Sequence, residues 1–436
     1  MHEASSGDPW ETLRGLPFGQ RLELTEENGS VWTGTVIPSH ELSGPRILTL
    51  KLGTGYNVGI RVGPRTRFRL LEAPSARPAP PPPALLPPAG AAGGIELLTT
   101  GGTIASRVDY DTGGVRPVST EEEILAFYPE LREFGAVRIT PVLDVLSENV
   151  TPADWLTLGG KVVEAFGRGA RGVVIAHGTD TLGFTAAALS FVLSDLPGPV
   201  VLVGAQRSPD RPSSDGPSNL HAAAQVASDP RLGEVVVVMH EGLSDDRFTI
   251  HRGTWVRKMH SSRRDAFQSR NGPPLGTVDA EGVHLHPTAR PPRAGPARLD
   301  APIDARGGLL TFYPGLPAAK ARQFLEGLRG VVLAGTGLGH VANEHLSWIR
   351  EATARGVVVG MTTQCLEGVV DPYVYATGRE LLHAGVVFLD DLLPETAYAK
   401  LLWALGHASS PEGVRELLLQ DRAGEFHRRR PVEAHR

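Results

Sequence analysis

The chain has 436 residues, 43 basic and 48 acidic side chains, a formal net charge of −5 and 41% hydrophobic residues. That length exceeds one ordinary core, so two or three domains are expected, and the slightly acidic balance leaves no global electrostatic footprint for nucleic acid. The single cysteine, Cys365, excludes a disulfide within the chain and fits a reducing compartment.

Residues 12–73 read as a small β module. Short alternating or β-branched runs at 20–24, 31–37, 47–52, 58–62 and 66–71 are separated by Glu27-Asn-Gly29, Gly44-Pro45, Gly53-Thr-Gly55 and Gly63-Pro64 turn signals. Five short strands in this span predict a small SH3-like β-barrel, a type that recognises partners, as the first domain over 1–73. Residues 74–93 are Ala/Pro-rich, with Pro80-Pro-Pro-Pro83 and Pro87-Pro88, and predict a semi-rigid linker.

From Ile95 the pattern alternates strands with helices, which signals βα units and a mostly parallel sheet. The first strand breaks at Gly101-Gly102, where the backbone can turn sharply, and Thr103 follows. Thr151-Pro-Ala-Asp154 predicts a helix start, with a hydroxyl cap and a proline in first position, and a helix over 155–167. An apolar strand over 172–177 ends in His177-Gly-Thr-Asp-Thr181. A helix over 182–193, a strand over 200–203, a polar loop over 206–217, a helix over 218–227 and a strand over 234–239 follow. Arg257-Lys258-Met-His-Ser-Ser-Arg-Arg-Asp265 reads as a polar loop. A second Pro-rich stretch, 286–300, divides a larger α/β domain over 94–285 from a smaller one over 301–436, with strands at 308–313, 330–334 and 356–362. No apolar run reaches the ~18 residues of a membrane helix. The opening Met1-His-Glu-Ala-Ser-Ser-Gly-Asp-Pro9 lacks the basic and apolar regions of a secretory signal, so a cytoplasmic protein without a membrane partner is expected.

Two turns repeat one design. Thr103 follows Gly-Gly and Thr179 follows His-Gly, each presenting a hydroxyl at the C-terminal end of a strand, where open α/β sheets place ligands. Either threonine alone reads equally as a helix cap. Asp180 sits near a helix N-terminus, where orphan N–H groups stabilise a carboxylate. Lys258 alone reads as one solvated charge among basic neighbours. It is, however, one of only five lysines (Lys51, Lys161, Lys258, Lys320, Lys400) in a chain that otherwise uses arginine. A desolvated lysine can lose its proton, whereas a guanidinium does not. Two threonines, an aspartate and a lysine supply a nucleophile, a base and a group that orients the base, enough for acyl transfer on an unactivated amide. Backbone N–H groups would serve as the oxyanion hole.

The fifteen histidines show no HExxH or paired ligand spacing, so no metal site is expected. Gly335-Thr-Gly-Leu-Gly-His340 is GxGxG rather than GxGxxG, and the strand over 356–362 ends without an acid for a ribose. No GxxxxGK[ST] occurs, and no cofactor bound by this chain is expected.

In this order, Thr100-Gly-Gly-Thr-Ile-Ala-Ser106, His177-Gly-Thr-Asp-Thr181 and the Lys258 stretch resemble the type I/II L-asparaginase family. The resemblance implies Thr103 as nucleophile and Thr179, Asp180 and Lys258 as a hydroxyl–acid–lysine group. It further implies that Asp180 holds the substrate α-amino group, that Ser147 contacts the α-carboxylate and that Tyr110 belongs to a mobile lid. Glu148 follows Ser147 in the substrate-binding stretch, where plain asparaginases usually carry Gln.

A wider resemblance rests on Val36-Ile-Pro-Ser39, Ser147-Glu-Asn149, Gly335-Thr-Gly-Leu-Gly-His340, Tyr375-Ala-Thr-Gly-Arg-Glu-Leu381 and Leu393-Pro-Glu-Thr-Ala397. Over nearly the whole chain it is similar to the D-type subunit family of archaeal glutamyl-tRNA(Gln) amidotransferases. This implies an asparaginase-like two-domain α/β body preceded by the barrel, and hydrolysis of glutamine. Ammonia would pass through a tunnel to the E-type subunit, which amidates Glu-tRNA(Gln) with ATP and Mg held at that partner. A homodimer within a heterotetramer is implied, with the smaller domain of one chain completing its neighbour's site and tRNA contacted mainly through the E-type partner. The alternative is a free-standing cytoplasmic L-asparaginase with an accessory barrel; the barrel and Glu148 weigh against it.

Overall fold

The computed structural model describes residues 8–39, 44–52, 57–71, 93–101, 106–108, 115–117, 124, 128–135, 137–207 and 214–427. In the N-terminal unit, β1 (Arg21–Thr25), β2 (Val31–Ile37), β3 (Ile47–Leu52), β4 (Asn57–Arg61) and β5 (Arg67–Leu70) form an antiparallel sheet in the order β4-β3-β2-β1-β5. Period-2 alternation sets its faces. Leu22, Leu24, Val36, Leu48, Leu50 and Ile60 point into one core, which Leu13 of a short helix, α1 (Pro9–Leu13), also joins.

Five strands of the larger sheet run parallel: β6 (Ile95–Thr99), β9 (Val137–Pro141), β10 (Gly172–Ala176), β12 (Val200–Val203) and β13 (Val235–His240). Between β6 and β9 lies a small antiparallel pair, β7 (Ser106–Val108) with β8 (Val115–Pro117). Strands β10, β12 and β13 are buried along their whole length, as expected where crossover helices cover both faces. The helices are α2 (Pro152–Gly167), α3 (Leu182–Val192) and α4 (Gly216–Ala227). At the start of α2, Pro152 takes the first position and the Asp154 carboxylate accepts from the Thr151 N–H at 2.7 Å.

After β13 the chain returns without a crossover, so β14 (Phe248–Arg252), β17 (Gly276–Asp279) and β18 (Gly282–Leu285) extend the sheet antiparallel. The full order of its eight strands is β18-β17-β14-β13-β12-β10-β6-β9. The stretch read as a polar loop around Lys258 is corrected here. Lys258 ends a strand, β15 (Val256–Lys258), paired with β16 (Phe267–Ser269) in a hairpin.

The segment 286–300 is not a free tether. Gly233 N–H donates to the Arg290 carbonyl at 2.8 Å and Arg293 N–H to the Leu196 carbonyl at 2.8 Å. A Cβ on Gly233 would lie 2.4 Å from Pro292, so the proline run packs where only glycine fits. Beyond it, β19 (Arg298–Leu299) pairs with β11 (Leu193–Ser194).

The second α/β unit is built on β20 (Gly307–Thr311), β21 (Gly330–Gly335), β22 (Val358–Thr363) and β23 (Val387–Phe388), a parallel sheet in the order β20-β21-β22-β23. Its helices include α5 (Ala318–Phe324), α6 (Leu346–Ala354), α7 (Ala376–His383), α8 (Pro394–His407) and α9 (Pro411–Leu419). Helix α8 packs between the units. Ala397, Leu401, Leu402, Trp403 and Ala404 belong to the same core cluster as the α3 residues Ala186, Ala187, Leu189 and Phe191. Phe191 stacks on Trp403 with centroids 6.4 Å apart. Two helices that are apolar nearly all round can persist only where both faces are covered.

Candidate active site

Strand order selects the place. From β6 the connection leads to β9 on one side of it, and from β10 to β12 on the other side. Between the C-terminal ends of β6 and β10 the crossovers diverge, the switch point where open α/β sheets leave a crevice. The Gly101 turn follows one strand and His177-Gly-Thr-Asp-Thr181 the other.

Gly101 has φ of +87°, and a Cβ on it would meet the Val145 backbone N at 2.9 Å and O at 2.8 Å. A side chain there is therefore strained twice, by conformation and by space. The close approach delivers the segment holding Ser147, Glu148 and Asn149. Ser147 is buried, and a Cβ on Gly178 would lie 2.7 Å from its Cβ, so these two backbones also touch. Thr181 Oγ1 donates to the Ser147 carbonyl at 2.6 Å, which ties the two turns together. Neither Thr179 nor Asp180 is the N-cap of α3; that position is Thr181.

His177 supports the second turn from beneath. It is fully buried, Nδ1–H donates to the Gly178 carbonyl at 2.7 Å, and Nε2 accepts from Thr185 Oγ1 at 3.0 Å. Burial pushes its pKa down to about 4, so it stands neutral as a rigid prop. The Thr179 side chain rests on Gly204, where a Cβ would come within 2.7 Å of Thr179 Cγ2.

Lys258 reaches over this turn. Its Nζ donates to Thr179 Oγ1 at 2.8 Å and to Asp180 Oδ1 at 2.7 Å. The lysine side chain is 14% exposed, whereas that of Asp180 is 68% exposed and faces outward. Hydroxyl, ammonium and carboxylate thus converge, with the carboxylate open to a ligand. Glu148 is exposed on the neighbouring turn. Thr103 and Tyr110 lie outside the described residues.

The hairpin is anchored from the second unit. Arg257 Nε pairs with Glu395 Oε1 at 3.1 Å, and Thr396 Oγ1 donates to the Thr254 carbonyl at 2.7 Å. Both partners belong to Leu393-Pro-Glu-Thr-Ala397, whose apparent sequence signal is thereby an anchoring one. The Gly335–His340 turn closes on itself, with Thr336 N–H donating to the His340 carbonyl and His340 N–H to the Thr336 carbonyl, each at 2.9 Å. These donors are spent within the turn rather than aimed at a phosphate. Among the described residues, no group of three or more His, Cys, Asp or Glu side chains could hold a metal ion, and no helix is long and apolar enough to cross a membrane.

Sequence reasoning missed Gly204, Asn219, His240, Asp245 and Arg264, which adjoin the site through hydrogen bonds and packing. The run Ser214-Asp-Gly-Pro-Ser-Asn219, read largely as loop, held the usable signal. A proline and a small polar cluster mark a helix start, and Asp215 accepts there from the Gln206 and Arg207 N–H groups.

Known proteins share this architecture. Residues 94–291 match the family model described as Asparaginase, N-terminal, 308–418 the Glutaminase/Asparaginase C-terminal domain, and 16–71 the GatD N-terminal domain. The chain is 45% identical to the D-type subunit of glutamyl-tRNA(Gln) amidotransferase from Saccharolobus islandicus, over 99% of this chain and 98% of that protein. It is 42% identical to the corresponding protein of Pyrococcus horikoshii, over 92% of this chain and 93% of that one. The thermostable L-asparaginase from Thermococcus kodakarensis aligns with a TM-score of 0.70 and 35% identity, covering 76% of this chain and 99% of its own. L-asparaginase I from Vibrio cholerae aligns with a TM-score of 0.67 and 31% identity, covering 77% of this chain and 100% of its own. The chain belongs to the GatD family, the D-type subunits of glutamyl-tRNA(Gln) amidotransferases, asparaginase-family amidohydrolases that carry a small antiparallel β domain ahead of the two α/β units.

Proposed function

We propose that this chain hydrolyses glutamine and supplies the ammonia that converts Glu-tRNA(Gln) to Gln-tRNA(Gln). The observation that carries the reading is the Lys258 ammonium 2.8 Å from Thr179 Oγ1 and 2.7 Å from Asp180 Oδ1. Thr103 attacks the side-chain amide carbon and forms an acyl-enzyme; the amide nitrogen takes a proton and leaves as ammonia; water then releases glutamate and restores the hydroxyl. Thr179 and Lys258 carry the protons of these steps. Once Lys258 has given up a proton, it becomes the acceptor for the hydroxyl it now donates to. The exposed Asp180 carboxylate holds the substrate ammonium, and Ser147, with Glu148 beside it, holds the α-carboxylate. Tyr110 lies in the lid that closes over them.

Ammonia passes to the E-type subunit, where ATP and Mg activate the glutamyl-tRNA. tRNA is held mainly by that partner, in keeping with the net charge of −5 here. The active unit is a homodimer within a heterotetramer, with the 301–436 domain completing the neighbour's site. A site that releases ammonia wastes glutamine unless its acceptor gates it, so the E-type partner and Glu-tRNA(Gln) raise the glutaminase rate. The test is labelling with a diazo-ketone analogue of glutamine, mapped by mass spectrometry. Covalent label on Thr103, absent in Thr103→Ala, supports the reading; label on any other hydroxyl overturns it.

A further inference from the structure

Thr179 and Lys258 come from separate parts of the large unit, one after β10 and the other at the end of β15. A line of contacts runs from one to the other, van der Waals at Thr179 and Gly204 and hydrogen-bonded from Gly204 onward, buried at Asn219 and His240 and open at Asp245. Gly204 lies against the Thr179 methyl, and its carbonyl accepts from Asn219 Nδ2 at 3.0 Å. The same nitrogen donates to Asp215 Oδ2 at 3.1 Å. These two bonds fix the orientation of the amide, which leaves Oδ1 as an acceptor. His240 Nδ1 donates to it at 2.6 Å. The other ring nitrogen of His240, Nε2, faces Asp245 Oδ1 at 2.8 Å. Both ring nitrogens are therefore engaged, one by the Asn219 amide oxygen and the other by the Asp245 carboxylate. Asp245 Oδ1 also accepts from Arg264 NH1 at 3.0 Å. Arg264 lies in the turn joining β15 to β16, so the line ends on the hairpin that holds Lys258.

We propose that Asn219, His240, Asp245 and Arg264 are positioning residues. They close a ring with Gly204, Thr179 and Lys258, and this ring sets the distance between the lysine ammonium and the threonine hydroxyl. Asn219 and His240 are fully buried, so their bonds are not diluted by water. The outer links both end on the Asp245 carboxylate, from the His240 ring and from the Arg264 guanidinium, and hydrogen bonds to an ionised group are the stronger kind. A ring differs from a set of separate supports: cutting any one link frees the whole, so damage at two links does not accumulate. The inference rests on the reading of Thr179 and Lys258 as reacting groups, but its test does not require turnover.

The five lysines of the full chain are separated by arginines, so their peptides resolve by mass spectrometry. Reductive methylation with formaldehyde and a borohydride reports how firmly each ammonium is held. Lys320 is exposed and Lys400 fully buried, and they serve as fast and slow references. Asp245→Ala and Arg264→Met are chosen because Asp245 is 58% exposed and Arg264 is not one of the residues of the hydrophobic core. Each is expected to raise methylation of Lys258 relative to Lys320 by about fivefold, the scale of one lost ion pair, with Lys400 unchanged. The double variant is expected to do no more than the larger single one. Lys258 methylation unchanged in both singles, or effects that multiply in the double, would overturn the ring. Kinetics give a second readout. The turnover number for glutamine should fall about tenfold or more with KM nearly constant, because geometry is lost while the binding groups stay. A parent chain that releases no ammonia from glutamine would count against the proposed function and leave the methylation result to decide the ring.

Discussion

Replacing Lys258 by arginine separates two jobs that the geometry alone assigns together. Arginine keeps the positive charge and can still pair with Asp180. That carboxylate is 68% exposed, so the ion pair is worth at most about 1 kcal/mol. If pairing were the whole role, the substitution would cost less than about fivefold in rate. A proton-transfer role predicts far more, because a guanidinium stays protonated at any working pH. General acid–base steps contribute roughly 10²–10⁴-fold, equivalent to about 2.7–5.4 kcal/mol of barrier. The two outcomes are separated by more than an order of magnitude. The assay is steady-state ammonia release from glutamine by the full chain, with thermal melting as the folding control. Lys320→Arg, on an exposed helix surface, is expected to be silent. A loss smaller than about fivefold in Lys258→Arg, in a protein that melts normally, would refute the assignment.

Gly204→Ala places a methyl 2.7 Å from Thr179 Cγ2 and 2.9 Å from the His177 carbonyl, so it should displace the hydroxyl and cut glutamine turnover; unchanged kinetics would show that Thr179 is not held there. Glu425→Ala strands the Lys400 ammonium, which is fully buried and lies 2.5 Å from that carboxylate, and should cost about 3–5 kcal/mol in urea unfolding. His177 and His251 are buried with pKa values pushed down to about 4 and about 3, below the ordinary 6.5. The unfolded chain therefore binds protons first, and the stability tied to these rings is complete at neutral pH and lost as pH falls below about 6.5. At pH 5 each should have cost about 2 kcal/mol, read as a lower urea midpoint whose pH slope shrinks in His177→Gln. Removal of residues 1–73 should leave basal glutamine hydrolysis intact and weaken assembly with the E-type partner; loss of hydrolysis in a folded truncation would contradict this separation.

What the sequence disclosed follows from where its signals are local. The run Gly172–Ala176 is continuously apolar and ends in turn-forming residues, which is all that a buried parallel strand with a functional turn requires. The Thr151-Pro-Ala-Asp154 helix start is equally local. The strand at Lys258 left no such trace. Val256–Lys258 is three residues long, too short for a period, and its pairing comes from Phe267–Ser269 across a turn. The antiparallel strands β14, β17 and β18 were hidden for the same reason, since their partners are fixed by the sheet edge. Thr179, Asp180 and Lys258 could be picked out by residue type, and the fold brings them within hydrogen-bond distance. Asn219, His240, Asp245 and Arg264 could not, because each is an ordinary polar residue until the chain is folded and the rest of the line is in place.

The burial of α8 against α3 also orders events during synthesis. Ala186, Leu189 and Phe191 are finished early, but the helix that covers them begins at Pro394. Until roughly two hundred further residues have left the ribosome, the large unit carries an uncovered apolar flank, a state open to misassociation. Pairings between segments so distant in sequence form late and slow the final step. A nascent chain arrested before residue 394 should therefore be chaperone-dependent and protease-sensitive along α3, and completion of α8 should convert both α/β units to the protected state together.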